Sequence, residues 1–258
     1  MFDNNFEAVL ADTETARRIH HHIRYQVYCL EEGFEDPGNF PDREEHDDWD
    51  DHSVHFLVRS KSTNEWVAAM RLVLPSQQGF PLEQLCDIDP AVTPTVLGDS
   101  VVEVSRLCIV NNYRRAQQQG MHYDANGTIA AFPRQASEEP ESVTMDRRQR
   151  SDIVMGLMRA AAAYCREKKI ANWYFLSTPA FGRMMNRLGF QLVKLGAAVE
   201  HRGKRLPFLI SPLAAYDKVT RDCCSSMAAM LRRRTAYLRY SELDFCLPDQ
   251  TVQRSLVA

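Results

Sequence analysis

The sequence predicts an α/β fold, a mixed sheet with helices on both faces. Three observations carry that expectation. The elements read in the order strand, helix, loop, three strands, insertion, helix, strand, helix, strands, which places strand–helix–strand units after an antiparallel run. Residues 101–110, VVEVSRLCIV, are rich in Val and Ile and read as the strand around which the chain is organised. Competing nucleotide and hydrolase signatures are absent: there is no GxGxxG, no GxxxxGK[ST] and no GxSxG. Glu103 and Arg106 interrupt the organising strand. Three apart on a regular strand, they would point to opposite faces. A central strand excludes charges unless they are paired or used. The segment is therefore either an edge strand with solvated charges or a buried strand that carries a site.

Taken in order, residues 6–10 are a short apolar strand. Asp12 or Thr13 caps a helix running to about Leu30, with Ala16, Ile19, Ile23, Val27 and Leu30 at helical spacing. His20, His21 and His22 sit in that helix, and three adjacent side chains fan out by ~100° each, so they are not expected to converge on one metal. Residues 54–59 and 66–74 read as a hairpin turned at Lys61–Asn64, with Arg71 inside an apolar strand and in need of an anionic partner. Residues 80–86 read as a helical turn and 87–99 as a proline-bearing connector. Residues 111–150 lack an apolar period and read as an insertion, with basic clusters at Arg114, Arg115, Arg147, Arg148 and Arg150. Ser151 or Asp152 caps a helix over 153–169. A strand at 173–176, a helix from Pro179 to about Gly189, and strands at 191–195 and 206–210 around a turn at Arg202–Lys204 follow. A helical extension is expected over about 212–243, and the last fifteen residues are expected to be loosely held. The whole is read as one domain.

At 258 residues with a net charge of −3, the chain has no general attraction for nucleic acid. No apolar run reaches the ~20 residues of a membrane span. The start lacks the basic and apolar regions of a signal peptide, and seven cysteines show no repeated metal spacing; free thiols in a cytoplasmic protein are expected. Residues 35–52 form an acidic loop containing His46 and His52, with His55 just beyond. It reads as a hydrated charge run, as a metal site, or as carboxylates that hold a cationic substrate. It lacks the spacing of a calcium hand, and there is no HExxH, so no metal is expected.

A resemblance sharpens these readings. Ile23-Arg24-Tyr25-Gln26-Val27-Tyr28 followed by Gly33-Phe34 resembles the N-terminal motif of acyl-homoserine lactone synthases, with Phe34 where that family has Trp. Glu45-His46-Asp47-Asp48-Trp49-Asp50 is similar to its acidic loop. Arg71 falls at its strand arginine, and Glu103-Val104-Ser105-Arg106 matches its E-x-S-R strand. With residues 25–31 and 103–107, the chain looks closest to the acyltransferases associated with PEP-CTERM/exosortase systems. The resemblance implies a GNAT-like fold and an N-acyltransferase that moves an acyl group from a thioester donor to the amine of a small molecule. No Q/R-x-x-G-x-G/A phosphate loop follows the central strand, so acyl carrier protein or a long-chain acyl-CoA is the expected donor, with no permanently bound cofactor. Glu103, Asp47 and Asp50 are the expected catalytic residues; Arg24, Tyr28, Phe34, Arg71 and Arg106 are the expected substrate-binding residues. Two alternatives stay open: a true autoinducer synthase using S-adenosylmethionine, and a non-catalytic ligand-binding module on the same fold.

Overall fold

The computed structural model describes residues 2–92, 96, 100–111, 122–123, 129–130, 145–187, 190, 192–211 and 236–243. Helix α1 (Phe2–Asn5) leads into β1 (Phe6–Leu10). Helix α2 (Glu14–Tyr25) is capped by Thr13, whose hydroxyl accepts the Ala16 N–H at 3.2 Å. It continues through a π-helical turn, Gln26–Glu31. Strands β2 (Ser53–Ser60) and β3 (Trp66–Val73) form the expected hairpin. Then come α3 (Pro81–Leu85), β4 (Val101–Ile109), the short pair β5 (His122–Tyr123) and β6 (Ile129–Ala130), and α4 (Arg147–Glu167). Strand β7 (Asn172–Ser177), α5 (Pro179–Arg187), β8 (Leu192–Lys194), β9 (Val199–Glu200), β10 (Lys204–Ile210) and β11 (Leu238–Arg239) complete the described elements.

The main sheet runs β11-β1-β2-β3-β4-β7-β10-β8. The β1-to-β4 meander is antiparallel, β4 and β7 are parallel, and β7 and β10 are antiparallel. Strand β4 is thus central, which decides against a solvated edge. One face packs on α1, α4 and α5 through Phe2, Ile153, Leu157, Ala161 and Met185. The other packs on α2 through Ala16, Ile19 and Ile23, and on α3 through Leu82. Small residues let α4 lie close to its neighbours: a Cβ at Gly156 would come within 2.2 Å of the Phe2 ring.

Two expectations need correction. Helix α4 starts at Arg147, not near Ile153, because Asp146 and Gln149 form a capping box, the Asp146 carboxylate accepting the Gln149 N–H at 2.7 Å. The apolar period begins only at Ile153, since the first turn is solvated. Within the expected C-terminal helix, residues 238–239 instead form β11, an edge strand parallel to β1 with Val9 opposite Leu238. Arg114, Arg115, most of the insertion, residues 188–189 and 212–235, and the last fifteen residues lie outside the described residues. Cys29, Cys86, Cys108 and Cys165 are free thiols, all buried. No helix among the described residues is long and apolar enough to cross a membrane.

Candidate active site

The site begins with an irregularity in β4. Arg71 pairs with Ser105 and Ala69 with Cys108, so Arg106 and Leu107 together oppose one residue of β3. This is a β-bulge, and Arg106 takes the left-handed φ of 52° within it. The extra residue inverts the alternation. Val101 packs on the α3 side before the bulge, and Cys108 and Val110 pack on the α2 side after it. Arg106 therefore joins Glu103 and Ser105 on one face, instead of pointing away from Glu103 as a regular strand requires.

Pairing between β4 and β7 covers only Val101–Glu103 against Asn172–Tyr174. Beyond Glu103 the strands part, and a cavity of about 430 Å³ lies there. Glu103, Ser105, Arg106, Tyr28, Phe34 and Phe175 are among the residues that line it. Glu103 is 3% exposed, and its carboxyl accepts the Leu82 N–H at 2.9 Å. Burial pushes its pKa up to about 8; the Leu82 bond and the charges of Arg71 and Arg106 only partly offset that desolvation. It is a carboxyl group able to exchange a proton near neutrality.

Beside this cavity, on the same face, lies a lattice of opposite charges. Asp50 Oδ1 accepts from Arg24 Nη1 at 2.6 Å, from Arg71 Nη1 at 2.9 Å and from His55 Nε2 at 3.0 Å. Its Oδ2 accepts the Asp47 N–H at 2.8 Å. Asp47 takes Arg71 on Oδ1 at 2.5 Å and Arg106 on Oδ2 at 2.9 Å. Glu45 takes Arg24 on one oxygen and Arg106, at 3.2 Å, on the other. Burial alone would raise Asp50, but the His55 bond and the Arg24 and Arg71 guanidiniums override it and hold the carboxyl well below the usual range. Glu45 and Asp47 are lowered too, against burial, by Arg24 and Arg106 and by Arg71 and Arg106 respectively. The acidic loop divides: Asp36, Asp42, Asp48 and Asp51 are exposed, whereas every oxygen of Asp47 and Asp50 already receives a hydrogen bond, and neither of these two lines the cavity.

Of the eight residues singled out in the sequence, Glu103, Arg106, Tyr28 and Phe34 reach the cavity. Arg24, Arg71, Asp47 and Asp50 form the lattice that supports Arg106. Sequence reasoning missed three contributors. Glu45 closes the lattice, Ser105 bonds Arg71 Nε at 3.1 Å, and Arg202 lies over Tyr28 and Phe34, 5.3 and 5.8 Å from the ring centroids, while pairing with Glu35. Ser105 and Glu45 lay inside the motifs already quoted. Arg202 carried only the signal of a turn.

A central mixed sheet, a bulged β4 and a gap between β4 and β7 make this a GNAT-like fold. Residues 23–123 match the family model of the acetyltransferase (GNAT) domain. Among solved structures, the chain is similar to TofI in a ternary complex with an inhibitor and MTA, with a TM-score of 0.52, 18% identity, and coverage of 82% of this chain and 96% of that one. It is similar to BjaI, a CoA-dependent acyl-homoserine lactone synthase with SAM and isopentyl-CoA, with a TM-score of 0.52, 15% identity, and coverage of 91% and 92%. It is also similar to FeeM, an N-acyl amino acid synthase from uncultured soil microbes, with a TM-score of 0.50, 12% identity, and coverage of 84% and 98%. A search of curated proteins finds no match.

Proposed function

We propose that this protein is an N-acyltransferase that moves an acyl group from a thioester to the amine of a small molecule. The observation that carries the reading is Glu103: a buried carboxyl with a pKa near 8, in the wall of a cavity whose apolar surface suits an acyl chain. An amine must lose a proton as it attacks, and a base poised near the working pH serves best. In this reading Glu103 takes that proton, directly or through water. The amine nitrogen bonds the carbonyl carbon, the C–S bond breaks, and the departing thiolate recovers the proton. Beyond Glu103, β4 pairs with β3 alone, and in this reading the backbone N–H groups on its β7 side polarise the thioester oxygen. Asp47 and Asp50 act through Arg71 and Arg106, positioning the strand rather than holding the acceptor.

The donor is an acyl-CoA or an acyl carrier protein. Arg150, Arg202 and Arg205 line the cavity with Arg106 and give its rim a cationic character suited to donor phosphates. For the acceptor, S-adenosylmethionine, the autoinducer-synthase reading, is better supported than an exosortase-system substrate. Similar folds such as BjaI and LasI are named as homoserine lactone synthases, whereas the exosortase link rests on residues 25–31 and 103–107 alone. The test is to incubate the protein with acyl-CoA or acyl carrier protein thioesters and candidate amines, following thiol release and product mass. Amine-dependent thiol release with an N-acyl product is expected. Ligand binding without thiol release would establish the non-catalytic reading.

A further inference from the structure

Behind the arginine lattice lies a second cluster that the acyl-transfer reading leaves unused. His20 and His21 on α2 and His55 on β2 each offer a ligand atom, and the three atoms lie within 4.8 Å of one another. Adjacent histidines on one helix do diverge, and His22 turns away to bond the Arg43 carbonyl at 2.8 Å. His20 and His21, however, straddle His55 on the neighbouring strand, with ring centroids 4.5 and 5.7 Å from it. The third imidazole thus comes from the sheet and closes the fan. We propose that His20, His21 and His55 form a binding site for a divalent transition ion of the zinc class.

The strongest observation is His20. It is 0% exposed, and neither of its ring nitrogens has a hydrogen-bond partner. A buried polar group left unpaired loses its water and gains nothing in return, unless something absent from the protein chain occupies the space. His21 Nε2 is likewise buried and unpartnered, 3.9 Å from Asp50 Oδ1, and its Nδ1 lies 4.0 Å from Glu44. His55 fixes the donor chemistry. Its Nε2 faces the Asp50 carboxylate, which only accepts, so Nε2 carries the hydrogen and Nδ1 keeps its lone pair. A histidine that donates to a carboxylate from one nitrogen and offers the other is the arrangement found behind metal-bound imidazoles. Three neutral imidazoles select a borderline ion over calcium or magnesium, which prefer oxygen. Metal–nitrogen distances of about 2.0–2.1 Å require the three atoms to draw in modestly from their present spacing. The ion would bind α2 to β2 directly beside Asp50, which accepts from Arg24, Arg71 and His55 in the lattice.

The test uses the full chain, stripped with a chelator and titrated with Co(II) as a spectroscopic stand-in for zinc. About one equivalent should bind with the visible d–d bands of a low-coordinate nitrogen site. Zinc should bleach those bands and raise the melting temperature by several degrees. His55→Gln and His20→Gln should abolish the bands, and exposed His52→Gln should keep them. If His20→Gln fails to fold, His21→Gln, nearer the surface, replaces it. Failure of wild-type protein to bind Co(II), or bands that persist in the triad variants, would overturn the site and leave a buried water as the partner of His20. Neither outcome bears on acyl transfer, which is read separately by thiol release.

Discussion

Glu103 and Asp50 lie on one face of one sheet, at 3% and 9% exposure, and their proton affinities move in opposite directions. Burial raises both. At Glu103 one backbone N–H is the only hydrogen bond among the described residues, and desolvation wins. At Asp50 two guanidiniums and an imidazole donate within 3.0 Å, and the charges win. Burial sets the cost of ionising a carboxyl, while the donors at contact distance set the sign of the outcome. Strand β4 therefore supplies a base that exchanges protons near neutrality, and the loop before β2 an anion that does not titrate in the physiological range.

The sharpest way to break this comparison is Glu103→Gln. The amide keeps shape and hydrogen bonding but accepts no proton, so turnover should fall by roughly 10²–10⁴ with folding preserved. A folded variant turning over within a few-fold of wild type would pass the role to a water or another group. Next in size is the lattice. Arg71→Ala strands Asp47 and Asp50, and Arg24→Ala strands Glu45 and Asp50; removing one partner of a buried pair costs about 3–5 kcal/mol. Chemical denaturation measures it. Melting like wild type would mean that these charges do not hold the fold.

How much of this was legible in the sequence follows the same division. Strands β1 to β4 and helix α2 come from local apolar period, which is written residue by residue; the choice between edge and centre for β4 was left open and is decided by the sheet order. Arg71 and Arg106 could be seen to need anions because charges in apolar strands always do. Which carboxylates they would take could not be read, since Glu45, Asp47 and Asp50 meet them only through the tertiary fold. The bulge at Arg106 was equally hidden. It inverts the face of every later β4 residue, yet VVEVSRLCI contains no glycine or proline to announce it. The π-helical turn at Gln26–Glu31 has the same character: its bonds reach one residue further than an α-helix, without a distinct apolar period. The His20–His21–His55 cluster was missed because only two of its members are neighbours in the chain.

A pH titration sharpens the comparison at a smaller scale. Glu103 has an ordinary value of 4.5 and a folded value of about 8, so between them the native state holds a proton that the unfolded state releases. Its contribution to stability is complete below pH 4.5 and is lost as pH rises to about 8. Asp50, Asp47 and Glu45 run the other way: their contribution is present above the ordinary carboxylate range and is lost as pH falls through their lowered values. The buried imidazoles also titrate in acid, so the difference between wild type and Glu103→Gln isolates the single group. Relative to the variant, wild type should lose on the order of a few kcal/mol of stability from pH 4.5 to 8. Wild-type activity should rise over pH 6–8 as Glu103 ionises. A flat difference would place the Glu103 pKa in the ordinary range and remove the argument for its basicity.

The smallest expected effect concerns the cationic rim. Arg150, Arg202 and Arg205 line the cavity with far less burial than Arg24 or Arg71, so their charges are partly screened and their loss is mild. Arg202 also lies over Tyr28 and pairs with Glu35, which ties the β9–β10 turn to the π-helical turn. Arg202→Ala with Arg150→Ala should raise the donor KM several-fold, with the gap closing at high salt, and should leave kcat nearly unchanged. Reversing Arg147 and Arg148, exposed on the first turn of α4, tests the donor's size. A carrier protein reaches that turn and should feel the change, whereas a CoA thioester held at the cavity mouth should not. If the rim variants change kcat but not KM, these arginines act on the reacting groups, and the separation between a charged lattice that holds and a buried carboxyl that reacts would have to be redrawn to include them.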